Sequence, residues 1–160
     1  MKNNTTKQNT IEIINTLKER NESITFAESC TGGRIAAAFT AISGASAVLN
    51  GSCITYSNEI KSQWLGVKEA TLIEHGAVSS QCVEEMLKGI CKMASANNSI
   101  AVSGIAGPTG GTDEKPIGTV YLGININGQI SVEHHLFTGD REDIQEQATK
   151  TAIALLKKKL

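Results

Sequence analysis

Apolar residues recur at helical spacing in three long stretches of the chain. Ile11, Ile14 and Leu17 share one face of a helix expected over residues 6–20. Val83, Met86, Leu87, Ile90 and Met93 form the stripe of a longer helix over residues 80–96. Ile144, Ala148, Ala152, Leu155 and Leu156 point inward from a last helix that begins near Asp140. Residues 1–5, ahead of the first stripe, are polar and are expected to fray.

Between these helices the pattern shortens to strand type. Residues 23–27, a run ending near Tyr56, "SIAVSG", "TVYLGINI" and "QISVEHHLF" read as strands. Asn127-Gly128 separates the last two, a strong hairpin signal that makes them antiparallel. Two shorter helices fit residues 32–41 and 58–65, the second with Asn58 as its cap. Strands alternating with helices, plus one hairpin, predict a layered α/β domain with a mixed sheet.

Composition narrows the function. A chain of 160 residues suits one domain, here residues 1–160, and buries roughly 70% of its unfolded surface. A net charge of -1 gives no bulk attraction to nucleic acid or anionic membrane, and 4% aromatics is too few for a base-stacking platform. No apolar run reaches a membrane-spanning length and the N-terminus has no signal-peptide core, so a cytoplasmic protein is expected. Cys30, Cys53, Cys82 and Cys91 contain no C-x-x-C pair, which argues against a zinc ribbon or redox pair. Cys82 and Cys91 fall on opposite helix faces, and small buried hydrophobes are the simpler reading for all but Cys30.

Chemistry concentrates in "ITFAESCTGGRIAAAF", residues 24–39, where a strand meets Ser29, Cys30 and two glycines before a helix. A helix N-terminus offers unpaired N–H groups and partial positive charge, so a nucleophile beside it has a ready oxyanion site. In this reading Ser29 attacks a carbonyl while N–H groups near Thr31 and Gly32 hold the oxyanion. The plainer reading makes Ser29 or Thr31 an N-cap and the glycines a packing device. Spacing alone leaves both open.

Ser29 needs a base. Ser103 lacks the preceding glycine of a G-x-S-x-G elbow. His134 and His135, adjacent on a strand, point to opposite faces, and His75 fits a turn. No histidine pair has metal-ligand spacing. Lys61 remains, in the first turn of a short helix where the dipole and burial both favour the neutral amine. Tyr56, at the end of the preceding strand, can hydrogen-bond either partner. The plainer reading of Lys61 is a solvated lysine paired with a carboxylate. The loop "SGIAGPTGGTDEKPIG" has a phosphate-cradling composition but is neither a Walker A loop nor a strand-to-helix G-x-G-x-x-G; it is a candidate ligand loop. Arg141 opens the last helix against the dipole preference, which leans towards a ligand role.

Taken together, "AESCTGGRIA", "TYSNEIKSQWLGV", "HGAVS", "SGIAGPTGG", "KPIGTVYLG" and "FTGDRE" resemble the C-terminal domain of the CinA family, in family order over nearly the whole chain. The resemblance implies a three-layer α/β/α sandwich with a mixed, mainly parallel five-stranded sheet including one antiparallel hairpin. It implies metal-independent hydrolysis of the carboxamide of nicotinamide mononucleotide to nicotinate mononucleotide and ammonia, in pyridine nucleotide salvage, with no cofactor. By position, Ser29 is the nucleophile, Lys61 the base and Tyr56 an active-site hydroxyl. Ser103, Gly104 and Gly107 lie in the substrate loop, Thr31 and Gly32 at the oxyanion, and Arg141 reaches in from the last helix. A small nucleotide substrate and a homo-oligomer, with a dimer foremost, are the implied partners; direct nucleic acid or membrane contact is not. Larger family members add an N-terminal domain, and this chain, starting almost at its first helix, is similar to the stand-alone form. Two departures are Ser52, where a glycine is expected, and Gln145, where an arginine is common. A non-catalytic nucleotide-binding module and a competence-related or DNA-damage-related regulatory module remain alternative readings.

Overall fold

A computed structural model describes residues 2–160, with side chains from residue 5 onward; of residues 1–5, where fraying is expected, residue 1 lies outside the described residues and 2–5 belong to the first helix. Helix α1 (Lys2–Arg20) leads into strand β1 (Ile24–Glu28), helix α2 (Arg34–Thr40) and strand β2 (Leu49–Ile54). Helices α3 (Asn58–Leu65), α4 (Glu69–His75) and α5 (Ser80–Ala94) follow, then strands β3 (Asn98–Gly104), β4 (Thr119–Ile126) and β5 (Gln129–Leu136), and helix α6 (Arg141–Lys159).

The five strands form one sheet in the order β2-β1-β3-β4-β5. β1 pairs parallel with β2 and β3, while β3–β4 and β4–β5 are antiparallel, so β4 alone runs against the others. The sheet is therefore mixed and mainly parallel. Two hairpins are present, because the loop after β3 also joins antiparallel neighbours. At the second, Asn127 and Gly128 both take positive φ, 50° and 89°, as a two-residue hairpin turn requires.

Alternation along the strands divides the core into two layers. Phe26, Ile100, Val102, Val120, Leu122 and Ile124 face α1, α2 and α6. Ala27, Cys53 and Ala101 face α3 and α5. Large residues on one side and small ones on the other let α5 sit close to the sheet; a Cβ on Gly123 would lie 2.5 Å from Val83. Helices on both faces make this a three-layer α/β/α sandwich. The Phe26 and Phe39 rings, 4.7 Å apart and tilted by 56°, tie α2 to the strand that precedes it, worth roughly 0.5–1.5 kcal/mol beyond area burial.

Four local expectations change. Helix α4 lies where the sequence pattern predicts no element; it buries no residue and so leaves no apolar stripe in the sequence. Ser57, not Asn58, caps α3, its side chain accepting from the Ile60 N–H at 3.2 Å. Met93, expected in the α5 stripe, is exposed. Helix α2 starts at Arg34, because Gly32 and Gly33 hold positive φ of 60° and 96° and keep the chain in a turn.

Sequential strands step from β1 to β2 on one side and then to β3 on the other. The order reverses between β1 and β3, and a crevice opens at the carboxyl ends of such strands.

Candidate active site

Three chain segments converge on that crevice. Ser29 follows β1 directly, Thr55 and Tyr56 follow β2, and Ser103 and Gly104 close β3. Ser29, Tyr56, Lys61, Ser103, Gly104 and Arg141 line one cavity of about 160 Å³. Six of the nine sequence-predicted residues thus meet in one place. Thr31, Gly32 and Gly107 do not line it.

Lys61 is almost wholly buried, 1% exposed, on the inner face of α3. Its Nζ lies 3.2 Å from Ser29 Oγ, 2.7 Å from the Thr55 carbonyl oxygen and 3.1 Å from the Tyr56 carbonyl oxygen. No carboxylate pairs with it among the described residues. Burial holds its pKa below the ordinary lysine value of 10.5. A neutral amine has two N–H hydrogens and one lone pair. In the neutral form, with its hydrogens given to the two carbonyls, the lone pair is left for the Ser29 hydroxyl. Such an arrangement can serve a general base beside a nucleophile.

Cys30, the other hinge nucleophile, is buried, and desolvation pushes its thiol up to about 12. It stays a neutral thiol at physiological pH and is a poor nucleophile. Its carbonyl accepts from Gln145 Nε2 at 2.8 Å. Gln145, marked as a departure in the sequence, thus holds the hinge to α6. Ser52 donates to the Phe26 carbonyl at 3.2 Å, a cross-strand contact away from the cavity.

Thr31 and Gly32, expected at the oxyanion, make bonds within the hinge. The Gly32 N–H donates to the Ser29 carbonyl at 3.1 Å, and the Thr31 hydroxyl donates to Glu28 at 2.7 Å. Glu28 also accepts from the Ile35 and Ala36 N–H groups at 3.0 and 3.1 Å. The start of α2 is satisfied by a buried carboxylate rather than open to a substrate. Glu28 was missed in the sequence; an acid closing an apolar strand a few residues before a helix is the signal that would find it.

At the mouth, Arg141 donates to the Gly107 carbonyl at 2.6 Å and to the Tyr56 hydroxyl at 2.8 Å. The Tyr56 hydroxyl therefore meets Arg141, and only its carbonyl touches Lys61. Asp140 and Asp143 form a capping box that fixes the start of α6, and with it Arg141. Ser103 donates to the Ala77 carbonyl at 2.8 Å, which seats the segment before α5 against the cavity. His75 meets Lys115 through its carbonyl, and His134 stacks on Tyr121; neither lines the cavity. Among the described residues no group of three His, Cys, Asp or Glu side chains could hold a metal ion, and no helix is long and apolar enough to cross a membrane.

Residues 6–160 match the CinA C-terminal domain. The chain belongs to that family. It is 46% identical over 90% of its length to a CinA-like protein of Endomicrobium trichonymphae, of which the match covers 34%. The chain thus spans about a third of the length of such CinA-like relatives. It is also 46% identical, over 88% of its length, to the Escherichia coli K12 protein named nicotinamide-nucleotide amidohydrolase PncC, and there the match covers 86% of the relative. Among solved structures, a CinA superfamily protein from Klebsiella pneumoniae 700603 superposes with a TM-score of 0.92 at 43% identity, covering 96% of both chains. A CinA superfamily protein from Escherichia coli gives 0.95 at 32% identity, covering 100% of this chain and 93% of that one.

Proposed function

We propose that this CinA-family chain hydrolyses the carboxamide of nicotinamide mononucleotide to nicotinate mononucleotide and ammonia, using Ser29 as nucleophile and Lys61 as base. The observation that carries this reading is the buried Lys61 amine, 3.2 Å from Ser29 Oγ and held by two carbonyls. The substrate follows from the Escherichia coli relative of similar length.

Neutral Lys61 takes the Ser29 proton as Oγ attacks the carboxamide carbon. Lys61 then returns that proton to the leaving nitrogen, and ammonia departs from the acyl-enzyme. Water enters, gives its proton to Lys61 and releases the carboxylate, restoring Ser29. The oxyanion is assigned to main-chain N–H groups around Ser29, with Cys30 and Ala106 as candidates because both residues line the cavity. No cofactor takes part.

The cavity, about 160 Å³, is below the roughly 300–1,000 Å³ that encloses a whole drug-sized ligand, so it takes the reacting end only. The nucleotide end lies outward at Arg141, whose guanidinium uses two contacts here and has further N–H donors for a phosphate. The reaction is assigned to the cytoplasm and the working assembly to a homodimer, which light scattering after gel filtration checks. Ammonia release from nicotinamide mononucleotide by the purified chain tests the reading as a whole; no release above the uncatalysed rate overturns it.

A further inference from the structure

We propose that Glu28 is a positioning residue that sets the spacing between the Ser29 hydroxyl and the Lys61 amine. The inference rests on the Ser29–Lys61 reading above and adds to it a residue that never touches the substrate. Glu28 is 0% exposed, and a buried carboxylate is costly unless its oxygens are satisfied. No lysine or arginine pairs with it among the described residues. Three donors satisfy it instead: the Thr31 hydroxyl at 2.7 Å, the Ile35 N–H at 3.0 Å and the Ala36 N–H at 3.1 Å.

These bonds bracket the hinge. Residues 29–33 lie between the strand that carries Glu28 and the helix its side chain grips, and two of them, Gly32 and Gly33, have positive φ. A turn with two successive glycines has little stiffness of its own. The Glu28 side chain closes it from both ends and so holds Ser29. The Glu28 main chain reaches the other partner. Its carbonyl accepts from the Thr55 N–H at 2.9 Å, and the Thr55 carbonyl accepts from Lys61 Nζ at 2.7 Å. One residue therefore fixes the serine through its side chain and the lysine through its backbone.

The chemistry of the site requires a carboxylate of this length. Two adjacent helix N–H groups need two acceptor oxygens, and a glutamine places an NH₂ against one of those donors. Aspartate is one methylene shorter.

Glu28→Gln keeps the size and tests the idea through two readings. The first is kcat and KM on nicotinamide mononucleotide. The second is the rate at which a fluorophosphonate labels Ser29, followed by peptide mass, which depends on nucleophile geometry and not on the nucleotide. Rates are taken per folded molecule, with folding measured by circular dichroism. The expected result is a roughly tenfold to hundredfold fall in both kcat and labelling rate, as for a nucleophile displaced by up to about 1 Å, with KM within about twofold. Thr31→Val, which removes one of the three bonds, is expected to lower both roughly threefold to tenfold, and it carries the test alone if Glu28→Gln does not fold. Wild-type kcat and labelling in the folded variants overturn the inference. A wild-type protein that neither deamidates nor labels at Ser29 removes the proposed function itself, and the inference with it.

Discussion

Ser29, Lys61 and Ser103 form a floor to the cavity that solvent barely reaches, whereas Tyr56 at its rim is 60% exposed and Arg141 beside it is exposed. The floor is built from strand ends and main-chain carbonyls, and each polar group there has one partner geometry. The rim is built from long side chains that cross between the end of β2, the loop after β3 and the start of α6. Buried geometry suits bond making, because excluding water disfavours the charged form of a lysine. Exposed geometry suits reading the remote part of a substrate, because the contacts can re-form around it. Floor variants should therefore act on kcat, and rim variants on discrimination between substrates.

The largest effect is expected from Lys61→Met, which fills the stem's space and removes the amine. Deamidation should fall roughly 10²–10⁴-fold, the range for loss of a general base. The Thr55 and Tyr56 carbonyls also lose a donor, so the melting temperature should drop, at about 1–3 kcal/mol for each buried group left unsatisfied. A Lys61→Met protein with a tenth of wild-type activity would remove Lys61 from the chemistry.

The same lysine sets the pH response. Burial lowers its pKa from 10.5, and in the proposed mechanism the neutral form is the base. In acid the amine should be protonated and deamidation should stop; kcat/KM should rise as the pH passes the lowered pKa. The midpoint of that rise should lie below 10.5 and should vanish in Lys61→Met. Stability has the same sign. The unfolded chain binds the lysine proton more tightly, so this group adds stability as pH climbs from the folded pKa to 10.5. A rise centred on an ordinary lysine pKa would contradict the buried base.

At the rim, Arg141→Ala should lower kcat/KM for nicotinamide mononucleotide roughly tenfold or more, as for loss of a charge-assisted contact worth about 1.5–3 kcal/mol. The reaction on nicotinamide riboside, which has no phosphate, should barely change. An unchanged ratio between the two substrates would return Arg141 to a purely structural part, bridging Tyr56 and Gly107.

The smallest effect belongs to Cys30→Ala. A thiol pushed up to about 12 is neutral at working pH, so its removal should change kcat by less than about threefold. Loss of activity there would mean that the floor uses its second nucleophile.

The floor was the more legible part of the sequence. The strand ending before Ser29 and the helix carrying Lys61 could be read from pattern, and the strand–helix alternation gave the layers. The partners of those side chains could not. Lys61 is held by backbone carbonyls, which every residue carries, so no residue type announces them. Glu28 reads as an ordinary acid until the fold turns it inward against α2. Gln145 stands out in the sequence only as a departure from the family pattern; it lies 115 positions from the carbonyl it binds, a distance that only the fold brings together. At the rim, Tyr56 lines the same cavity as Ser29 and Lys61, but its hydroxyl meets Arg141 and neither of them, because its strand position fixes the backbone and not where a long aromatic side chain ends.

The most direct test of the central claim is the kcat of Ser29→Ala on nicotinamide mononucleotide, followed by ammonia release, with its melting temperature recorded beside it. The account predicts a fall of at least about 10³-fold in a protein that folds as the wild type does, since removing the nucleophile removes the covalent route altogether. A folded Ser29→Ala protein that keeps more than a tenth of the wild-type kcat would contradict it.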